Sequence, residues 1–377
     1  MNTLTRFSAA LLALLCPLLL AQTTPGVRFT TARPGKQFAY PRDHGSHPDF
    51  RIEWWYITGH LFTPDKSRYG FQATFFRRAS EIPPDAKDAP EFSSGQLYLA
   101  HMALLDVKTG RFIHQERINR GGWDAQASEQ TLDVRNGNWS LRFAGAGQPP
   151  DAMLLEGSIR SEAAFTLTLK PQKPLVIFGK DGVSRKGAEE TAASHYLTWP
   201  RLAVSGSLRT GEESAAVTGS AWMDHEMSSS QLSEGQAGWD WASLQLDDGR
   251  DVMAYRMRRT DGTTDRYSTL AWISREGAVQ HVAPPAFRWE VTGTWKSPAS
   301  GANYPVRVRI SAPDPVTGQE VSWQLEPLAE NQELTGALGG VTYWEGACRV
   351  LNSDGVECGR AFLELTGHAG DLSRQLK

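Results

Sequence analysis

Cysteine is scarce in this 377-residue chain: Cys16, Cys348 and Cys358 are all there is, so a cysteine nucleophile has few places to come from. Net charge is also small, −3 at neutral pH with no basic stripe, and nucleic acid is therefore a poor candidate partner. No G-x-S-x-G turn is present, which leaves triad hydrolysis unsupported. No Gly-rich strand-to-helix turn suggests a nucleotide. Helical periodicity is almost absent. Beyond Phe7–Leu20 no apolar run is long enough to span a bilayer.

That one apolar run follows a short segment carrying Arg6 and closes on Ala21, the pattern of a secretory signal. Cleavage is expected after Ala21. Lipidation at Cys16 is disfavoured because Leu15 is bulky where a small residue is wanted. The chain is thus expected to be exported, periplasmic or envelope-associated, with room for peripheral membrane contact. In an oxidising compartment Cys348 and Cys358 invite pairing. A hairpin turning through Asn352-Ser353-Asp354-Gly355 and centred on Ser353 would set the two cysteines opposite each other. Such a bridge would stabilise by about 2–3 kcal/mol; the alternative is two reduced thiols in a core.

Aromatics are plentiful, 10% of residues with 13 tryptophans, either filling β cores or facing a flat apolar ligand. They are densest in Pro41–Leu61, whose second half reads Glu53-Trp54-Trp55-Tyr56-Ile57-Thr58-Gly59-His60-Leu61. In a strand Trp54, Tyr56 and Thr58 share one face, and Glu53, Trp55 and Ile57 the other. Aromatics on both faces mean cover on both, or a cavity on one. Short strands punctuated by turns follow, among them Tyr69–Arg78, Gln96–Val107, Arg111–Asn119, Met153–Ile159, Ala164–Lys170, Leu202–Leu208 and Ala215–Asp224. Ser80–Ser94, with three prolines, is a long loop. The fold is all-β.

The chain also resembles itself. Trp54–Leu61 matches Trp239–Leu246, and each is followed by a turn and a strand ending in paired arginines, Arg77-Arg78 and Arg258-Arg259. Phe165–Pro171 matches Ser322–Pro327. Tyr196 with Gly219-Ser220-Ala221-Trp222 matches Tyr343 with Gly359-Arg360-Ala361-Phe362. The order is the same in both halves, as expected of two copies of one all-β domain meeting near Ser228–Gly238.

Three ionisable groups in a row, Asp224-His225-Glu226, close the first copy. In a strand Asp224 and Glu226 face together and His225 faces away. Burial near a domain junction would raise the carboxylate pKa values into general-acid range; the alternative is a solvated turn. His101, alone in an apolar strand, is a hydrogen-bonded core histidine or a site residue. Glu53 is a buried acid, or a charge paired with Arg51 or Arg77. His44, His47 and Asp49 lack a recognised metal spacing, and no metal is expected.

Asp43–His47 with Glu53–Tyr56, Trp222–Glu226 and Gly238-Trp239-Asp240-Trp241 resemble the AttH/carotenoid 1,2-hydratase family of tandem lipocalin-like proteins. So do Tyr343-Trp344-Glu345-Gly346 and Phe362–Gly367. The resemblance implies two tandem lipocalin-like antiparallel β-barrels packed together, over 22–230 and 231–377 after a signal over 1–21, with a ligand site near their junction. Some members of that family hydrate a terminal isoprenoid double bond and fungal relatives catalyse cycloadditions. The resemblance thus implies a protein that carries a large apolar ligand or alters it, as by acid-catalysed hydration without a cofactor, with Asp224, His225, Glu226 and Glu53 as catalytic candidates. Trp54, Trp55, Tyr56, His101, Tyr196, Trp222, Trp239, Trp241 and Tyr255 are the expected ligand contacts. Two departures count against hydration of a carotenoid itself: Met227 stands where the hydratases carry Trp, and Tyr255-Arg256-Met257 lacks their Asp. The expected partner is an apolar isoprenoid or lipid held by a monomer, with a non-catalytic envelope scaffold, or a cofactor-independent secreted hydrolase, as the alternatives.

Overall fold

The computed structural model describes residues 29–80, 95–122, 124–145, 152–336, 341–370 and 372. The signal segment with Cys16, and nearly all of the Ser80–Ser94 loop, lie outside the described residues. β-Branched and aromatic residues alternating with polar ones produce strands almost throughout, and none of the described helices is long and apolar enough to cross a membrane.

The first sheet contains β1 (Ile52–Phe62), β2 (Arg68–Ala79), β3 (Gln96–Asp106), β4 (Arg111–Arg120), β5 (Ala125–Ala127), β6 (Asp133–Asn136) and β7 (Trp139–Phe143). It continues with β8 (Met153–Ile159), β9 (Ala163–Pro171), β10 (Val176–Phe178), β11 (Ser184–Arg185), β12 (Ala193–Thr210) and β13 (Glu213–Ser228). The second contains β14 (Gln236–Leu246), β15 (Asp251–Arg259), β16 (Thr269–Ile273), β17 (Val279–Val282) and β18 (Arg288–Lys296). After these come β19 (Asn303–Pro313), β20 (Glu320–Pro327), β21 (Glu333–Leu334), β22 (Tyr343–Leu351) and β23 (Glu357–Leu365). All pairings are antiparallel.

The two sheets share one plan. The first runs β4-β3-β2-β1-β13-β12-β9-β8-β7-β6-β5, the second β17-β16-β15-β14-β23-β22-β20-β19-β18. β1 and β14 hold the same place, as do β13 and β23, β12 and β22, and β9 and β20. These are the strands that carry the sequence parallels. Each sheet curls around its own packed interior as a lipocalin-like barrel. Trp55, Ile57, Phe71, Phe75, Trp139 and Leu167 fill the first interior; Leu244, Val252, Trp272, Tyr304, Trp344 and Leu363 fill the second.

β12 and β13 run further than composition suggests, because their irregular features are accommodated. Pro200 sits where the β12–β13 register slips between Trp199 and Leu202, and a bulge tolerates the missing N–H. Asp224-His225-Glu226 is not a solvated turn; all three are buried in the middle of β13's last turns of pleat.

The barrels meet through their outer faces. At Gly70 a Cβ would lie 2.5 Å from the Ala347 Cβ, so a side chain there would force the sheets apart. Lys173 and Arg201 of the first barrel each reach an Asp251 carboxylate oxygen of the second at 2.6 Å. A third apolar cluster, including Tyr56, Tyr196, Trp222, Trp241, Met253 and Tyr255, fills much of the seam.

The expected disulfide is absent. β22 and β23 are joined by a turn at Asn352–Val356 with a bulge that leaves Cys358 as an extra residue, so Cys348 faces Ala361. Both thiols are free, Cys348 buried and Cys358 half-buried. The turn closes later than a symmetric hairpin centred on Ser353 because Asn352 carries the turn's hydrogen bonds, accepting from the Asp354 and Val356 N–H groups. Cys358 should alkylate in the native protein and Cys348 only after unfolding. A species two hydrogens lighter that reductant reverses would restore the bridge.

Candidate functional site

Strand register assembles the site. On the outer face of the first barrel, Tyr56 of β1 lies opposite Asp224 of β13, and Trp54 opposite Glu226. On the other side of β13, β12 sets Thr198 beside Asp224 and Tyr196 beside Glu226. The second barrel answers with Trp239 and Trp241 of β14, which face Met257 and Tyr255 of β15. Trp241 is opposite Glu364 of β23, and Glu364 is opposite Glu345 of β22.

Between these two faces lies a cavity of about 330 Å³. Trp54, Tyr56, His101, Tyr196, Asp224, Glu226, Trp239, Trp241 and Tyr255 line it, together with Lys186, Tyr343, Met257 and Glu364. It is a space between barrels rather than a barrel lumen. The alternation of Trp54, Trp55 and Tyr56 explains the aromatics on both faces of β1: one packs a core and the other two wall the cavity.

Asp224 is buried and fully engaged. Its Oδ2 accepts the Tyr196 hydroxyl at 2.7 Å, and its Oδ1 accepts Thr198 Oγ1 at 2.6 Å and Trp222 Nε1 at 2.8 Å. Trp241 Nε1 donates in turn to the Tyr196 oxygen at 3.0 Å, linking the barrels through the site. Burial pushes the Asp224 pKa up to about 7, helped by the Glu226 charge and opposed by its hydrogen-bond donors. Trp222 lies beneath Asp224 and does not reach the cavity.

Glu226 is an ion-pair member rather than a free acid. Lys186 Nζ lies 3.0 Å from its Oε2, and Ser194 donates to the same oxygen. Burial works against the Lys186 ammonium, yet Glu226 holds its pKa above the ordinary value. The ammonium also sits 4.8 Å from the Tyr196 ring centre and 4.6 Å from that of Tyr255, a cation–π arrangement. His101 is both hydrogen-bonded and cavity-lining: Nδ1 meets the Tyr343 hydroxyl at 2.7 Å and Nε2 meets Glu116 at 3.3 Å.

Glu364 and Glu345 are carboxyl groups that motif reading missed. Trp239 Nε1 donates to Glu364 Oε1 at 3.0 Å, and the Tyr56 hydroxyl donates to Glu345 Oε1 at 2.6 Å. Burial pushes the Glu364 pKa up to about 8, with the charges of Glu226 and Asp224 adding. Burial and the neighbouring Glu364 raise Glu345 well above the ordinary carboxylate range. The internal repeat carried the signal: extending the match of Trp222 with Phe362 by two residues pairs Asp224 with Glu364.

These raised values set a pH dependence. A carboxyl group whose native pKa exceeds its unfolded one keeps a proton that the unfolded chain has lost. The stability that these two groups contribute is therefore greatest in acid and falls as pH rises, from about 4 to about 7 for Asp224 and from about 4.5 to about 8 for Glu364. Each unit corresponds to about 1.4 kcal/mol per group. Buried histidines whose pKa values are lowered, among them His44, His60 and His225, act in the opposite direction below about pH 6.5 and do so in both proteins. The urea midpoint of the wild type relative to that of the double variant Asp224→Asn, Glu364→Gln should therefore fall from pH 5 to pH 8; a difference independent of pH would disprove the assignment.

Glu53, His225 and Trp55 do not line the cavity. They face inward, as alternation requires. Glu53 is the hub of a buried network: Oε1 accepts His47 Nδ1 and His225 Nε2, each at 2.9 Å. Oε2 meets Arg77 Nε at 3.0 Å, the His47 backbone N–H at 2.8 Å and Ser46 Oγ at 3.1 Å. Burial alone would raise the Glu53 pKa, but the His225 and His47 bonds and the Arg77 charge hold it well below the ordinary value. Trp55 stacks on His225 with ring centres 4.8 Å apart. His47, Glu53 and His225 are the set among the described residues whose metal-ligating atoms converge, within 4.8 Å of one another. Glu53 already carries a full set of donors, and Arg77 supplies the positive charge that a cation would bring.

A family profile matches residues 31–368. The chain belongs to the AttH-like family. It is similar to the crystal structure of an AttH protein from Nitrosomonas europaea, with 37% identity and a TM-score of 0.78 over 90% of this chain and 100% of that one. Kievitone hydratase from Nectria haematococca shares the fold, with 14% identity and a TM-score of 0.64 over 90% of this chain and 97% of that one. CghA, in a structure with Sch210972, shares it at 12% identity and a TM-score of 0.51, over 91% and 97% of the two chains. No curated protein matches the chain in sequence. This AttH-like chain thus shares the architecture that its motifs imply.

Proposed function

We propose that this AttH-like protein is exported and encloses an apolar isoprenoid or lipid-like molecule between its barrels, where it hydrates a double bond by acid–base catalysis. One observation carries the proposal: the junction cavity is walled by Trp54, Tyr56, Trp239 and Trp241 and holds carboxyl groups whose pKa values burial lifts to about 7 at Asp224 and about 8 at Glu364, so that near neutral pH Asp224 divides between acid and anion while Glu364 keeps its proton. Protonation of a trisubstituted alkene leaves a tertiary cation. Aromatic faces stabilise such a cation, water captures it, and neither metal nor cofactor is required. The likeness in fold to a protein named as a hydratase supports the same chemistry. A volume of about 330 Å³ is at the small end of ligand pockets, which favours a short isoprenoid over a carotenoid. Export rests on the N-terminal sequence.

Native mass spectrometry with organic extraction, on protein taken from its own exported fraction, tests this. A defined isoprenoid or lipid at near-stoichiometric amount is expected. An empty chain that also ignores apolar probes would point instead to a non-catalytic scaffold, although side chains do not fill the cavity.

A further inference from the structure

The two barrels superimpose their plans, and the repeat gives each cavity acid a counterpart. Asp224 of β13 is flanked in register by Tyr56 on β1 and Thr198 on β12. Glu364 of β23 is flanked in the same way by Trp241 on β14 and Glu345 on β22. The two acids therefore occupy equivalent places in the two barrels and reach the same cavity from its two walls.

What differs is the company each keeps. The neighbour on the third strand is a hydroxyl for Asp224 and a carboxyl for Glu364. Asp224 accepts three hydrogen bonds, from Tyr196, Thr198 and Trp222, an environment made for an anion. Glu364 accepts one, from Trp239, and faces Glu345, whose Oε2 is buried with no hydrogen-bond partner among the described residues. Two carboxyl groups side by side do not readily both ionise, and Lys186, the cation whose charge reaches Glu364, is already ion-paired with Glu226, so this pair retains a proton.

We infer that the two acids divide the reaction, Glu364 giving the proton to the alkene and Asp224 taking the proton from water. This rests on the hydration reading above and assigns its steps. The Glu364 O–H bond breaks as the alkene π pair forms a new C–H bond, leaving a tertiary cation against Trp239 and Trp241. A water lone pair forms the C–O bond, and the water's proton passes to the Asp224 carboxylate. The balance is alkene plus water to tertiary alcohol, with no oxidant or reductant. The proton gained at Asp224 returns to Glu364 through solvent.

Deuterium separates the two roles. Geraniol and farnesol, whose terminal double bonds yield tertiary cations, serve as probes in heavy water, with mass spectrometry of recovered alkene and product. The wild type should form deuterated alcohol. Glu364→Gln should lose both alcohol formation and deuterium uptake into recovered alkene, since no cation forms. Asp224→Asn should lose alcohol yet still place deuterium in the alkene, because the cation forms and collapses by losing a proton. Both variants exchange a carboxyl for an isosteric amide, and unchanged enhancement of anilinonaphthalene sulfonate fluorescence checks that the cavity survives.

Infrared spectra give a second readout that does not need turnover: the protonated-carboxyl band at pH 7.5 should lose more intensity in Glu364→Gln than in Asp224→Asn. An active wild type in which the variants exchange behaviours, or in which both keep exchange, overturns the division of roles alone. A wild type that binds both alcohols but neither hydrates nor exchanges them overturns the hydration reading and the division with it.

Discussion

Truncating Glu53 to alanine is expected to lower stability by about 3–5 kcal/mol, the range for removing one partner of a buried ion pair. The loss comes less from the missing bonds than from what remains. Arg77 is fully buried and would keep its charge without that carboxylate; among the described residues its guanidinium would retain Gln96 and the His47 and Phe50 carbonyl oxygens. His47 would lose two bonds and His225 one in a buried site. The urea midpoint should drop with little change in slope. The paired change Glu53→Leu, Arg77→Met should cost less than Glu53→Ala, because it removes both charges together. A midpoint within experimental error of the wild type for Glu53→Ala would show that the network is dispensable. This network holds β1 against β13 directly behind the cavity wall, so its loss should also loosen ligand binding.

Asp224→Asn should lower hydration turnover by about 10²- to 10⁴-fold, the usual range for a general acid–base group. Affinity for an apolar ligand should change far less, since the amide preserves the size of the side chain. One hydrogen bond would reverse: the amide can donate where the carboxylate only accepted, and the Thr198 and Tyr196 hydroxyls can rotate to accept. Single-turnover rates and equilibrium binding, measured separately, check both halves. Turnover within a factor of three of the wild type would remove Asp224 from the chemistry. Loss of binding in step with turnover would make it a structural support of the cavity.

Much of this was legible in the residues. Alternation along Glu53–Ile57 assigned Trp54 and Tyr56 to one face and Trp55 to the other, and the barrels obey it. The same rule separated Asp224 and Glu226 from His225. Self-comparison identified the strands that occupy matching places in the two sheets. Extended by two residues it would have added Glu364, and through Tyr343 it would have added Glu345.

Other features had no local signature. The Cys348–Cys358 bridge failed because hairpin register depends on a bulge and on Asn352 hydrogen bonds, and cysteine spacing carries neither. Lys186 stands in an unpatterned stretch, and nothing nearby marks it as the partner of Glu226, forty residues on. For Glu53 the expected pairing with Arg77 is present, but the two histidines that complete its network, His47 and His225, come from a loop and from a distant strand and left no mark in the sequence around it.

The amino-acid sequence by itself determined the all-β architecture, the duplicated plan and the face on which each aromatic side chain falls. Those properties follow from periodicity, which is local. Which face became a core and which became a cavity was decided only when two barrels packed outer face to outer face. The same step turned Asp224 and Glu364 into groups that titrate near neutral pH, because desolvation and the company of other charges belong to the assembled fold and not to any one strand.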